Sequence, residues 1–95
     1  MTNDMLAYLE KLIHERKANP TPDSYTASLF ESGLNKIAQK VGEEATEVII
    51  AALGQSQQEQ TAELADLFYH TLVLMAALDI RLDDISAELE RRHRK

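Results

Sequence analysis

The chain has 95 residues, 16 acidic against 10 basic side chains, a net charge of -6 and no cysteine. That length makes one small domain with a modest core, and the missing cysteines exclude a disulfide framework and a thiolate zinc site. The charge argues against general nucleic-acid binding, and it means that an acidic site holds a polyanion only after cations have neutralised its carboxylates.

The start of the chain, Met1-Thr2-Asn3-Asp4, carries no basic segment leading into an apolar run, so no signal peptide is expected. The most apolar run, 67–80, is too short and too polar to span a bilayer. The expectation is a cytoplasmic protein with neither a membrane nor a nucleic acid as partner.

Few prolines, glycines and β-branched residues favour helices throughout. The first covers residues 4–17. Its apolar positions Met5, Leu6, Leu9, Leu12 and Ile13 follow helical spacing, with Asn3 or Thr2 as the N-cap. Asn19-Pro20-Thr21-Pro22 ends it, because a residue before proline is pushed out of the helical region. Asp23-Ser24 caps a short second helix, 25–31, closed by Ser32-Gly33. The third runs over 34–53 and stops at Gly54 as its C′ residue. Gly42 lies inside it, which suggests that another backbone or a ligand comes close. Ser56-Gln57-Gln58-Glu59 has the capping-box pattern and starts the fourth helix, 57–78. From Leu67 onward that helix is apolar nearly all round and needs cover on every side, for which a second copy of the chain is the expected source. The last helix covers 82–93. Asp83 and Asp84 stand near its start and Arg91, Arg92, His93, Arg94 and Lys95 at its end, as the helix dipole favours. The reading is an all-α single domain over 1–95, a small antiparallel helical bundle completed by homodimerisation.

The chemistry concentrates on the third and fourth helices. At about 100° per residue, Lys36, Lys40, Glu43, Glu44 and Glu47 share one stripe roughly 100° wide. Beside it runs an apolar flank of Leu34, Val41, Ala45, Val48 and Ala52, centred near +120° when Lys40 is set at zero. Glu44 and Glu47 are neighbours at i, i+3, and Glu63 and Asp66 repeat that spacing. On antiparallel helices the four carboxylates can converge, and their repulsion is relieved by a hard divalent cation, Mg²⁺ or Mn²⁺. Either pair alone also fits a solvated acidic face. Lys36 and Lys40 read equally as ion-pair partners of the acids or as phosphate ligands. His70, four residues after Asp66, reads most simply as a satisfied core histidine. Tyr69 reads as an interface or core residue, and Met75 as core filler.

Lys36-x-x-x-Lys40-Val41-Gly42-Glu43-Glu44-Ala45-Thr46-Glu47, followed by Glu63-Leu64-Ala65-Asp66-Leu67-x-Tyr69-His70, closely resembles the phosphoribosyl-ATP pyrophosphatase family of histidine biosynthesis. That family is part of the all-α NTP pyrophosphatase superfamily. The likeness extends to Ser24-Tyr25-Thr26, Gly33 and the closing Glu88-Leu89-Glu90-Arg91-Arg92-His93. It implies a helical dimer that hydrolyses phosphoribosyl-ATP to phosphoribosyl-AMP and pyrophosphate with Mg²⁺. The matching positions would make Glu44, Glu47, Glu63 and Asp66 the metal-binding carboxylates and Lys36 and Lys40 ligands of the phosphate chain. Glu43, the first acid of the signature, would orient water or a second ion. Arg81 departs from the pattern where a Ser-like cap is expected. Without the cyclohydrolase domain of bifunctional relatives, the chain would be a stand-alone form. The alternatives are another nucleoside-triphosphate pyrophosphatase of the superfamily and a non-catalytic helical dimerisation module.

Overall fold

The computed structural model describes residues 2–94, with side-chain burial described from residue 5. Five helices follow one another: α1 (Thr2–Ala18), α2 (Tyr25–Ser32), α3 (Leu34–Gly54), α4 (Gln57–Ala77) and α5 (Leu82–His93). Among the described residues there is no strand, so the all-α expectation holds. Among the described residues no single helix is long and apolar enough to cross a membrane. α1 begins two residues before the expected start, which puts Asn3 inside the helix rather than at its cap. The side chains of Thr2 and Asn3, and Lys95 of the basic end, lie outside the described residues.

Local chemistry sets the ends. The Ser24 hydroxyl accepts the Ala27 N–H at 3.0 Å and starts α2. Gly33 then carries the chain from α2 into α3 at φ 97°, a left-handed value that favours glycine. Ser56 and Glu59 exchange both bonds of the capping box at the start of α4. The expected glycine stop of α3 is not formed. Gly54 remains helical and Gln55 takes an extended conformation. The Gln60 side-chain amide instead donates to the carbonyls of Ala51 and Gln55, 3.1 Å each, so a left-handed turn is not needed to satisfy that end. The turn after α4 uses Asp79 at φ 59°, with the Ile80 N–H reaching back to the Met75 carbonyl at 2.8 Å, the pairing of a Schellman motif.

The core is built by α1 through α4. Ile13, Leu29, Ile37, Leu72, Val73, Met75 and Ala76 form one buried cluster, with Leu6, Leu9, Phe30 and Tyr69 packed on it. α3 and α4 form the main hairpin, and its register can be read residue by residue. Ala51 meets Gln60, while Glu44 meets Glu63 and Asp66. Position rises on one helix as it falls on the other, so the pair is antiparallel.

The buried face of α3 is rotated from the expected one. Ile37 and Ala51 are buried and Val41, Glu44, Ala45 and Val48 half-buried, while Leu34 and Ala52 are exposed. That face centres near +60° rather than +120° on the same rotation, by about 100° per residue. The shift places Glu44 within the packed seam instead of beside it. It also leaves Leu34, Ile49, Ile50 and Leu53 uncovered, Leu53 at 83% exposure. α4 is less enclosed than its composition suggests. One side is buried in the core, but Leu64 and Phe68 stay exposed. Gly42 is exposed, and an added Cβ there would meet nothing within 4 Å among the described residues, so the expected close approach of another backbone is not seen there.

α5 has no buried residue. The expected Ser-like cap is replaced from two sides. The Arg81 N–H donates to Asp84 at 2.8 Å, and the Leu82 N–H donates to the Glu10 carboxylate of α1 at 2.7 Å.

Candidate active site

The antiparallel seam and equal i, i+3 spacings bring acids of both helices together. Carboxylate oxygens of Glu44, Glu63 and Asp66 all lie within 4.8 Å of one another, with Glu44 and Glu63 half-buried and Asp66 exposed. Glu47, one turn further along α3, is exposed and stands outside this tight group, though its charge still acts on Glu63. The Glu63 carboxyl is pushed above its ordinary range first by desolvation and then by the charges of Asp66, Glu47 and Glu44. Oxygen donors alone, gathered where their own repulsion raises one of them, fit a hard divalent cation.

Lys40 borders the cluster. Its ammonium lies 3.3 Å from Glu43 and 3.6 Å from Glu44. The hydrogen bond to Glu43 is the main reason its basicity is raised. Glu43 also accepts from the Gln39 amide at 2.7 Å, and these two donors, Gln39 first, hold its carboxyl below the usual range. Glu43 thus faces Gln39 and Lys40 rather than the other acids. Lys36 is exposed and makes no ion pair among the described residues. The arrangement is a cluster of acidic oxygens with one lysine at its rim and a second a turn away.

His70 is 7% exposed and both its ring nitrogens are partnered, as expected of a satisfied core histidine. Nδ1 meets the Asp66 carbonyl at 2.8 Å and Nε2 meets the Tyr25 hydroxyl at 3.0 Å. Tyr69 packs between α2 and α4. Its hydroxyl pairs with Thr26, its ring stacks on Tyr25 at 6.2 Å, and it meets His70 edge-on at 4.9 Å. The i, i+4 link from His70 to Asp66 was readable in the sequence. The approach of Tyr25 was not, because it comes from another helix 45 residues away.

These features define a class: a small all-α domain with an acidic site built into the seam of a helical hairpin. Similarity to known proteins narrows it. A family model described as phosphoribosyl-ATP pyrophosphohydrolase matches residues 6–93, and the chain belongs to that family of hydrolases. The phosphoribosyl-ATP pyrophosphatase of Geotalea daltonii is 53% identical over 92 residues, covering 97% of this chain and 87% of that protein. The phosphoribosyl-ATP pyrophosphatase of Clostridium botulinum is 48% identical over 93 residues, covering 98% and 84%. The histidine biosynthesis bifunctional protein HisIE of Caldanaerobacter subterraneus is 50% identical, and the match spans 99% of this chain but 47% of that protein. The family resemblance carried by the two acidic motifs is borne out.

Proposed function

We propose that this chain hydrolyses phosphoribosyl-ATP to phosphoribosyl-AMP and pyrophosphate in histidine biosynthesis, in the cytoplasm and as a homodimer, with Mg²⁺ (or Mn²⁺) held by Glu44, Glu47, Glu63 and Asp66. The observation that carries this reading is the convergence of Glu44, Glu63 and Asp66 within 4.8 Å in a member of this family. Cleavage between the α and β phosphates consumes one water and releases pyrophosphate as an anion. It requires charge neutralisation, an oriented water and a stabilised leaving group. A divalent cation bound here supplies Lewis-acid charge neutralisation on the phosphate oxygens.

The residues of the chain divide the remaining work. Lys40, at the rim of the acidic group, is placed to bind phosphate oxygens, and Lys36 adds a second positive charge one turn earlier on α3. Glu43 holds Lys40 in place through the 3.3 Å pair. Glu47 is the acid with free reach, suited to complete the cation site once the repulsion on Glu63 is relieved. The apolar faces left uncovered on α3 and α4 support the dimer.

The test is pyrophosphate release from phosphoribosyl-ATP with and without Mg²⁺, for the native chain and for Glu47→Gln and Asp66→Asn. Each variant is expected to lose turnover by at least about a thousandfold while its helical circular dichroism stays native, since a cation site contributes several kcal/mol at the transition state. Native-like turnover in either would refute the assignment of the cation site.

A further inference from the structure

α5 is an amphipathic helix whose apolar face has little against it. Leu82, Ile85 and Leu89 recur at i, i+3 and i+7 on one stripe, and charged residues take most of the remaining surface. Leu82, in the first turn, packs on the core. Ile85 is 41% and Leu89 50% exposed, and past the first turn every described residue except the half-buried Glu88 is exposed.

The joint that aims α5 is held by α1. α5 leaves α4 through a bend of 101°. α1 grips this bend with two charges seven residues apart, hence on one face. Glu10 accepts the Leu82 N–H at 2.7 Å, at the positive end of α5, and Lys17 donates to the Ala76 carbonyl at 2.8 Å, at the negative end of α4. Folding α5 back along its own α4 would break these bonds, so the chain does not cover the stripe by itself.

A matching surface is open on the body. Leu6, Phe68, Met75 and Ile85 wall one apolar groove between α1, α4 and α5. Met5, Leu9 and Leu64 wall a second, and Leu6 and Phe68 belong to both, so the two run together as one trough. Along α4 it extends from Thr61 to Met75, about 21 Å at the helical rise, and α5 is about 18 Å long. With Phe68 at zero, Leu64 and Met75 fall at about −40° and −20°, whereas Glu63, Asp66 and His70 fall at about −140°, 160° and −160°. The trough is therefore the face of α4 turned away from the acidic seam. Ile85 of α5 itself forms one end of it, so an arm entering from a second copy comes to lie beside the base of the arm leaving the first. That is an arrangement a twofold axis repeats on both copies.

We propose that two copies of this chain exchange α5: the Ile85–Leu89 stripe of each lies in the α1–α4 trough of the other and covers Leu64 and Phe68. The exchange rests on the dimer reading and not on the hydrolase reading, and it leaves the acidic seam of each copy open. Each copy gives one arm and one trough, so the dimer holds two equal contacts.

The test is sedimentation of the full chain carrying Leu89→Glu in the arm or Phe68→Lys in the trough, each alone and the two mixed. Both positions are exposed in the single chain, so the helical circular dichroism should stay native. The native protein is expected at the mass of two chains. Each variant alone is expected at the mass of one, its self-association weakened at least about a hundredfold, because an unpaired charge enters both contacts. The equimolar mixture should regain the mass of two chains, since one contact is then native and the other joins the introduced carboxylate to the introduced ammonium. A variant that keeps the two-chain mass leaves the dimer standing and overturns the exchange. A mixture that stays dissociated also overturns it, since arm and trough are then not each other's partners. A native protein that sediments as one chain overturns the exchange and the dimer together.

Discussion

At the residue scale, Glu63 shows the conflict between folding and chemistry. Desolvation and four neighbouring acids, Asp66, Glu47, Glu44 and Glu59, disfavour its charged form, so the ionised carboxylate opposes the fold. The sign follows from linkage: a carboxyl raised in the folded state removes stability as pH rises through its titration range. Glu63→Gln keeps the shape and deletes that charge. We expect a higher melting temperature than the native chain in EDTA at pH 7, and a smaller rise in melting temperature on adding Mg²⁺ than the one expected of the native protein. A variant that melts lower in EDTA would show that the acidic cluster is not repulsive. Glu43, adjacent in sequence to Glu44, faces the opposite problem. Gln39 and Lys40 satisfy it, so its charge supports the folded state. The sequence made both acids visible, but only their partners assign them different work.

At the element scale, the two ends that depart from local rules are the places to intervene. α5 has no buried residue, and its first turn is held by a carboxylate from α1 72 residues earlier. Glu10→Ala removes the acceptor of the Leu82 N–H and is expected to cost about 1 kcal/mol, the usual value of an N-cap, and to increase amide exchange in α5 ahead of the hairpin. Equal protection of α5 in both proteins would assign its stability to Leu82 and Ile80 packing. The turn after α4 places Asp79 at φ 59°, where a residue with a Cβ is strained. Asp79→Gly relieves this and is expected to raise stability by roughly 0.5–1 kcal/mol in urea titrations. The lost pair with Lys17, at 3.5 Å and largely solvated, offsets little. Lys17 keeps its bond to the Ala76 carbonyl.

At the scale of the whole molecule, the single chain is looser than its length predicts. Its radius of gyration is 14.5 Å, against about 12 Å for a compact domain of this size. Apolar residues of α1, α3, α4 and α5 are left uncovered, among them Phe68 at 52% exposure. An interface of usual size between two copies would remove these from water. Sedimentation of the native protein is expected to give the mass of two chains. Phe68→Lys should shift that balance toward one chain with the helices retained. A native protein that sediments as a single chain at high concentration would end the dimer reading.

The five helices and their boundaries could be read from the chain to within about a turn, because spacing, prolines and capping residues act over a few residues. The same locality exposed the two acidic pairs, since i, i+3 neighbours share a face whatever surrounds them. Packing decided the rest. It turned α3 so that Glu44 entered the seam, gave Glu43 to Lys40, and replaced the expected Gly54 stop with the Gln60 side chain. It also brought Tyr25 to His70 and Glu10 to the start of α5. Each of these depends on which faces of separate helices meet, a choice fixed by the fit of Ile13, Leu29, Ile37 and Val73 in one core rather than by any residue's neighbours in the chain.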